Sequence, residues 1–348
     1  MRRAIWIGAL LALTLVACSV ASLCLGSFGT SSPLDAVRAL LAWVGALEES
    51  SRAFVIEQRL FRTLTAIGVG ASLALSGALM QGVFRNPLAS PDILGVSAGA
   101  SLGAAVAILS LGGYASGLVM EGGFGKAALV NASAFAGALL TLALVAALAR
   151  GGGLSVPGLL LIGVAVNSLL TGVLTALQSF VLEDTGVTRA MLAWGFGTLV
   201  DRSAEHALLV GLALLPALLA TPFVARELDL LGGGEEDASA LGVDVARVQR
   251  LALGAAALAA SGAVAVAGQI AFVGLLVPHA LRLLVGSAHR TLLPLSALGG
   301  AVLLLATDCL QRALFGVERI PPGVVMALLG GPLFVVLLLR SRPALRSW

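Results

Sequence analysis

Lysine is almost missing from this chain. Of its 21 basic residues only Lys126 is not an arginine, and charged residues of both signs fill 11% of the 348 positions. A soluble domain carries about a quarter charged residues, so this complement excludes an ordinary water-exposed surface. Aromatic residues make up 5% and are not interleaved with the arginines, which excludes a nucleic-acid face. The three cysteines, Cys18, Cys24 and Cys309, lie in or beside apolar runs, and no C-x-x-C occurs. An odd number without that spacing argues against a disulfide framework or a metal site. There is also no G-x-x-x-x-G-K-[ST]: before Gly125-Lys126 the first glycine position holds Met120, and Ala127 follows the lysine. The chain therefore carries no phosphate cradle of its own for ATP. No relay of Asp, Glu and Lys runs through the apolar segments, as a proton-coupled carrier would need. Asp308 is the one candidate, and it lies toward a segment end. Without a nucleophile–base pair or a ligand cluster, no enzymatic activity and no cofactor are expected.

Apolar sequence is what the chain has instead: 59% hydrophobic residues and a mean hydropathy of +1.03. An all-α integral membrane protein follows, because a helix satisfies its own backbone in lipid. About 20 apolar residues cross a bilayer core. Ten crossings are expected, near 5–26, 63–82, 93–111, 127–149, 156–177, 206–225, 250–267, 269–286, 292–315 and 322–339. The eighth is interrupted by Pro278, His279 and Arg282. Between the fifth and sixth, residues 178–205 are amphipathic, and Ala190 to Val200 is expected to form a short helix dipping into one face. Near the start, Met1-Arg2-Arg3 and Leu15-Val16-Ala17-Cys18 imitate a lipoprotein signal. The apolar run continues to Leu25, which suits an uncleaved span.

An even number of crossings puts both termini on one side. With the termini inside, eleven basic residues fall on inner segments and nine on outer ones, the direction the positive-inside rule requires. Acids at Glu48, Glu49, Glu183, Asp184 and Glu318 then fall outside. The loop from Glu227 to Arg247 is distinct, with six acids in 21 residues. Glu235-Glu236-Asp237 followed by Ala238 to Leu241 suits a short helix, since acids favour a helix N-terminus. Gly232 to Gly234 give it a flexible entry and Gly242 an exit.

The stretch from Arg59 to Gly103 is the most informative. Arg59 and Arg62 share a helix face before an uncharged run from Leu64 to Met80. Asn86-Pro87 and Ser90-Pro91 break the helix. Gly95, Gly99 and Gly103 then fall four apart, which lets another backbone approach closely. This block resembles the signature of the iron-siderophore and cobalamin (FecCD/BtuC-like) family of ABC-transporter permeases. The resemblance continues through Trp194 with Gly197-Thr198-Leu199, the acidic GEEDASALGV segment, Gly268 to His279, His289 to Pro294, Asp308 with Arg312, and Glu318 to Gly323. The family commonly has Pro where Gln269 stands, and apolar residues at Gly232 and Gly233.

The resemblance implies a BtuC-like permease fold as one transmembrane domain over 1–348, in the bacterial cytoplasmic (inner) membrane with both termini cytoplasmic. It implies a second permease subunit, a cytoplasmic ABC ATPase dimer and an extracytoplasmic substrate-binding protein as partners, with a ferric siderophore or similar chelate as cargo. Gly234, Glu235, Glu236, Asp237, Ala238, Leu241 and Gly242 then form the ATPase-coupling segment within 227–247. Arg59, Arg62 and Arg312 face carboxylates of the binding protein, although Asp308, four residues before Arg312, offers Arg312 an intramolecular partner. Asn167 and Gln178 suit either lining a path or binding a neighbouring helix; the resemblance places their helix beside the dimer pathway, which favours lining, and the three glycines serve packing rather than conduction. His279, lone in a Pro-broken helix, is expected to be bonded to backbone. An ion-coupled secondary transporter is the alternative reading, with a membrane-embedded enzyme behind it.

Overall fold

The computed structural model describes residues 2–25, 53–112, 123–150, 156–316 and 320–345. The outer-loop residues Arg38, Glu48, Glu49 and Arg52, together with Glu318, Arg319 and Arg346, lie outside them. Twelve α-helices and no strand occur among the described residues. They are α1 (Arg2–Cys24), α2 (Ala53–Phe84), α3 (Val96–Ser110), α4 (Gly123–Arg150), α5 (Val156–Phe180) and α6 (Thr185–Gly195). After these come α7 (Ala204–Leu231), α8 (Glu235–Ala240), α9 (Val245–Ala267), α10 (Val273–Val285), α11 (His289–Phe315) and α12 (Pro322–Leu345).

Seven of these helices are long and apolar enough to cross a membrane, and three shorter apolar ones, α3, α10 and the first part of α12, bring the set to ten. These coincide with the ten expected crossings. The eighth differs in form. Gly268 (φ 72°) and Phe272 (φ 69°) break the chain, so α10 has 13 residues and a length of about 20 Å. The non-helical Gly268–Phe272 segment joins it to α9. The short helix between the fifth and sixth crossings also starts earlier than expected, at Thr185, and ends at Gly195. Asp184 caps it, its Oδ1 accepting from Gly186 N at 3.0 Å and Val187 N at 3.1 Å.

Small residues decide which helices meet. α2 is the centre, buried over 83% of its membrane-length stretch, whereas α1 and α5 are buried over only 11% of theirs. Gly70 of α2 lies against the Gly300 carbonyl of α11, and Gly77 against the Gly274 carbonyl of α10, so a side chain at either site would strike backbone. The alanine-rich α9 packs against α2, α7 and α4. Such contacts replace the hydrophobic drive that is lost in lipid. Pro216, Pro222, Pro278 and Pro294 sit inside helices, which tightly packed membrane helices tolerate.

Candidate functional site

The expected functional residues separate to two ends of the bundle, and α2 joins them. Arg62 near its start and Arg85 just past its end are 23 residues apart, about 35 Å along a helix.

At the first end lie Arg59, Arg62 and Arg312. Expected as docking residues on the surface, they are instead buried, with 6%, 8% and 6% of their surface exposed. Asp308, fully enclosed, explains two of them: it meets Arg62 Nη2 at 2.7 Å and Arg312 Nε at 3.0 Å. The last turn of α1 explains the rest. Arg59 Nη1 donates to the carbonyls of Leu23 (2.9 Å) and Cys24 (3.2 Å). Arg312 donates to the carbonyls of Ser22 (3.1 Å) and Leu25 (2.8 Å), and to Ser22 Oγ at 2.6 Å. A helix C-terminus leaves its last carbonyls without intrahelical donors and carries partial negative charge. Two guanidiniums supply both needs. Gln311, with its amide oriented to suit both neighbours, donates to Ile320 O at 2.9 Å and accepts from Arg62 Nη2 at 3.2 Å. The cluster thus ties α1, α2, α11 and the approach to α12 together. The predicted Asp308–Arg312 pair is present, and Arg62, 246 residues from Asp308, completes it.

At the other end the chain leaves α2 through Arg85 (φ 46°), and Asn86 Oδ1 accepts from Leu88 N at 2.9 Å. Pro91 opens a single 3₁₀ turn to Leu94, and Gly95 (φ 81°) turns into α3. The predicted short helix is found as α8, and of the entry glycines it is Gly234, at φ 131°, that needs the freedom only glycine has. Glu235, Glu236 and Asp237 are exposed, Ala238 is fully buried, and Leu241 is exposed. Gly242 (φ 86°) forms the exit. Two side-chain contacts hold this segment to the bundle, and a third ties the end of α7 that leads into it to α11. Gln249 donates to Glu235 Oε1 at 3.1 Å, Arg85 approaches the same oxygen at 3.9 Å, and His289 Nδ1 lies 2.6 Å from Asp229 Oδ1. The α8 segment is therefore anchored by the buried Ala238 methyl and by Glu235, and it presents Glu236 and Asp237 outward.

Between the ends, Gly99 and Gly103 of α3, with Gly95 at its N-cap, pack against α4. A Cβ at Gly99 would meet the Gly137 carbonyl and Thr141, and one at Gly103 the Ser133 carbonyl. Packing is the role this contact supports. Ser168, Thr171, Thr175 and Ser179 form an exposed line along α5, each hydroxyl donating to the carbonyl four residues back at 2.8–2.9 Å. With their protons so engaged, the oxygens offer lone pairs outward. Asn167 and Gln178 are half-buried beside this line. Gln178 also lines a cavity of about 340 Å³ with Ser101, Trp194 and Gln269, where Gln269 Nε2 donates to Ser101 Oγ at 2.6 Å. The hydroxyl line was readable as a period of three and four in α5; the Gln269–Ser101 bond, linking distant segments, was not. His279 departs from expectation. It is buried, neither ring nitrogen is bonded, and it instead meets Phe334 edge-on with ring centroids 6.4 Å apart.

This architecture is shared with proteins of known kind. A metal-chelate-type ABC transporter solved in an inward-facing conformation superposes with a TM-score of 0.78 at 33% identity, over 95% of this chain and 97% of the other. The cobalamin import permease BtuC of Halobacterium salinarum is 44% identical over 83% of this chain and 74% of its own length. The hemin transport permease HmuU of Yersinia pestis is 38% identical over 82% of each chain. The Fe(3+)-citrate import permease YfmE of Bacillus subtilis is 36% identical over 94% of this chain and 93% of its own. The model of the FecCD transport family matches residues 13–340, and a match of that extent on this helical frame makes the chain a member of that family of ABC-transporter permeases.

Proposed function

We propose that the chain is the permease subunit of a binding-protein-dependent importer in the cytoplasmic membrane, carrying a ferric siderophore or a similar metal chelate such as haem or cobalamin. The observation that carries this reading is the acidic α8 segment held outward at one end of α2, with the arginine cluster at the other. In this reading the α8 end is cytoplasmic, as are both termini, and a separate ATPase pair receives Gly234 to Gly242. Two copies of the chain face each other, and the hydroxyl line of α5, with Asn167 and Gln178 at its edge, borders the path. Acceptor oxygens on an otherwise apolar wall suit a bulky chelate, which needs passage without tight binding. ATP-driven closure of the ATPases draws the two α8 segments together and switches the path from outward-open to inward-open.

Docking of the binding protein takes a modified form. Arg59, Arg62 and Arg312 act by fixing the outer ends of α1, α2 and α11, and the partner's carboxylates meet the face so shaped. Opposed charge there sets orientation and speeds encounter. Substrate uptake into vesicles containing permease, ATPase and binding protein tests the whole scheme. Uptake should require ATP and persist without an ion gradient, while uptake that follows a gradient alone would assign the chain to secondary transport.

A further inference from the structure

The long helix α7 carries an exposed apolar line, Leu208, Leu212, Leu215, Leu219 and Phe223. Steps of three and four residues keep these side chains on one face. The line ends at a cavity of about 630 Å³ between the ends of α7 and α9. There the lining changes character. Phe223, 70% exposed, and Leu251 form its apolar end, and Arg226, Glu227, Asp244 and Arg247 its polar end. Arg226 and Arg247 are both exposed, and neither guanidinium is bonded to another described residue. Asp244 is engaged, since its Oδ1 accepts from Arg247 N at 3.0 Å. Glu227 is different: its Oε2 is shielded from solvent and receives no hydrogen bond. Being closed to solvent, Oε2 is closed to a ligand too, so a donor arriving in the cavity meets Oε1, the oxygen left open where Glu227 lines it.

We propose that this groove holds the headgroup of a membrane phospholipid. Arg226 and Arg247 take the phosphodiester, Glu227 receives a primary ammonium, and an acyl chain runs along Phe223 toward Leu219. Guanidinium matches phosphate oxygens in geometry and charge, and basic pockets between helices at a membrane boundary suit lipid headgroups. The acid among the arginines favours a zwitterionic ethanolamine headgroup over a purely anionic one. The proposal rests on the orientation adopted above only for the leaflet, since phosphodiester is present in both. Leu241 and Gly242 form the far lip of the groove, which makes the ATPase the competing occupant.

Native mass spectrometry tests this on full-length permease released from bilayers of equal phosphatidylethanolamine and phosphatidylcholine with identical chains. We expect one retained lipid per chain, with ethanolamine favoured roughly tenfold, the effect of one charge-assisted hydrogen bond. Arg226→Gln with Arg247→Gln should lower retention of both lipids about tenfold by the same conversion. Glu227→Gln should abolish the headgroup preference and leave phosphatidylcholine retention unchanged. Millimolar inorganic phosphate should displace neither lipid. Unchanged retention in the double variant, unchanged preference in E227Q, or displacement by phosphate would each overturn the proposal. So would loss of ATPase co-purification from the double variant with lipid retention intact. Failure of ATP-driven uptake would leave these readings untouched, so the two proposals fail separately.

Discussion

Asp308 is enclosed, and two arginines from different helices converge on it. A buried carboxylate is tolerable only when its charge is answered and its lone pairs are filled. Removing it strands both guanidiniums in a site built around an anion. Breaking a buried pair in this way costs about 3–5 kcal/mol, so Asp308→Ala should sharply lower the unfolding temperature of the detergent-solubilised permease. The discriminating variant is Arg62→Met with Asp308→Met. If the cluster is a pair in energetic terms, the double variant should be less destabilised than the sum of the single ones; strict additivity would show that the two residues act independently. Half of this cluster was legible in sequence. Asp308 and Arg312 stand one helical turn apart, and a turn is a local rule. Arg62 comes from 246 residues away, and the acceptors for Arg59 are main-chain carbonyls that any sequence at the end of α1 would offer. No residue pattern marks a carbonyl as waiting for an arginine, so docking on the surface was the natural expectation and burial the finding.

At the scale of the helix, the glycine stripe was legible because spacing alone fixes a face. Gly95, Gly99 and Gly103 had to share one, and α4 supplies its own Gly137 opposite them. The shortened α10 was not legible, because its break depends on Phe272 adopting φ 69°, a conformation a bulky residue rarely takes. Its surroundings enforce it: Gly330 leaves the space its side chain enters, and Phe334 lies 6.4 Å from its ring. The early start of α6 was legible in principle, since Asp184 before Thr185-Gly186 is an N-cap pattern that the wider amphipathic segment obscured. The stripe gives a direct test. Gly103→Ala should destabilise by about 1–3 kcal/mol, because the added methyl meets the Ser133 carbonyl and cannot be accommodated by rotating a side chain. Gly211→Ala, at a helical glycine with open space around it, should be neutral or stabilising by up to about 1 kcal/mol. Thermal unfolding of the two variants under one condition would check this, and equal losses would show that helix propensity rather than close approach governs both sites.

Across the whole molecule, the two ends are joined by α2 and by long helices with few polar interruptions, so each end can be altered with little effect on the other. The α8 segment is suited to such a test because its acids carry little structure. Ala238 provides the anchor, while Glu236 and Asp237 are exposed. Reversing them should cost about 0.3–1 kcal/mol each through the helix dipole, a loss confined to this one short helix. On the proposed reading, Glu236→Lys with Asp237→Lys should abolish or strongly reduce ATPase co-purification, with the unfolding temperature lowered only slightly and binding-protein affinity unchanged. Gly242→Ala should also weaken ATPase association through a different cause, since φ 86° is strained for any residue with a Cβ and the exit of the segment would shift. Two variants that differ in charge and geometry but share one loss would identify the segment as the contact. If the lysine variant instead impairs binding-protein affinity and spares the ATPase, the α8 end faces outward, and the assignment of the two ends has to be exchanged.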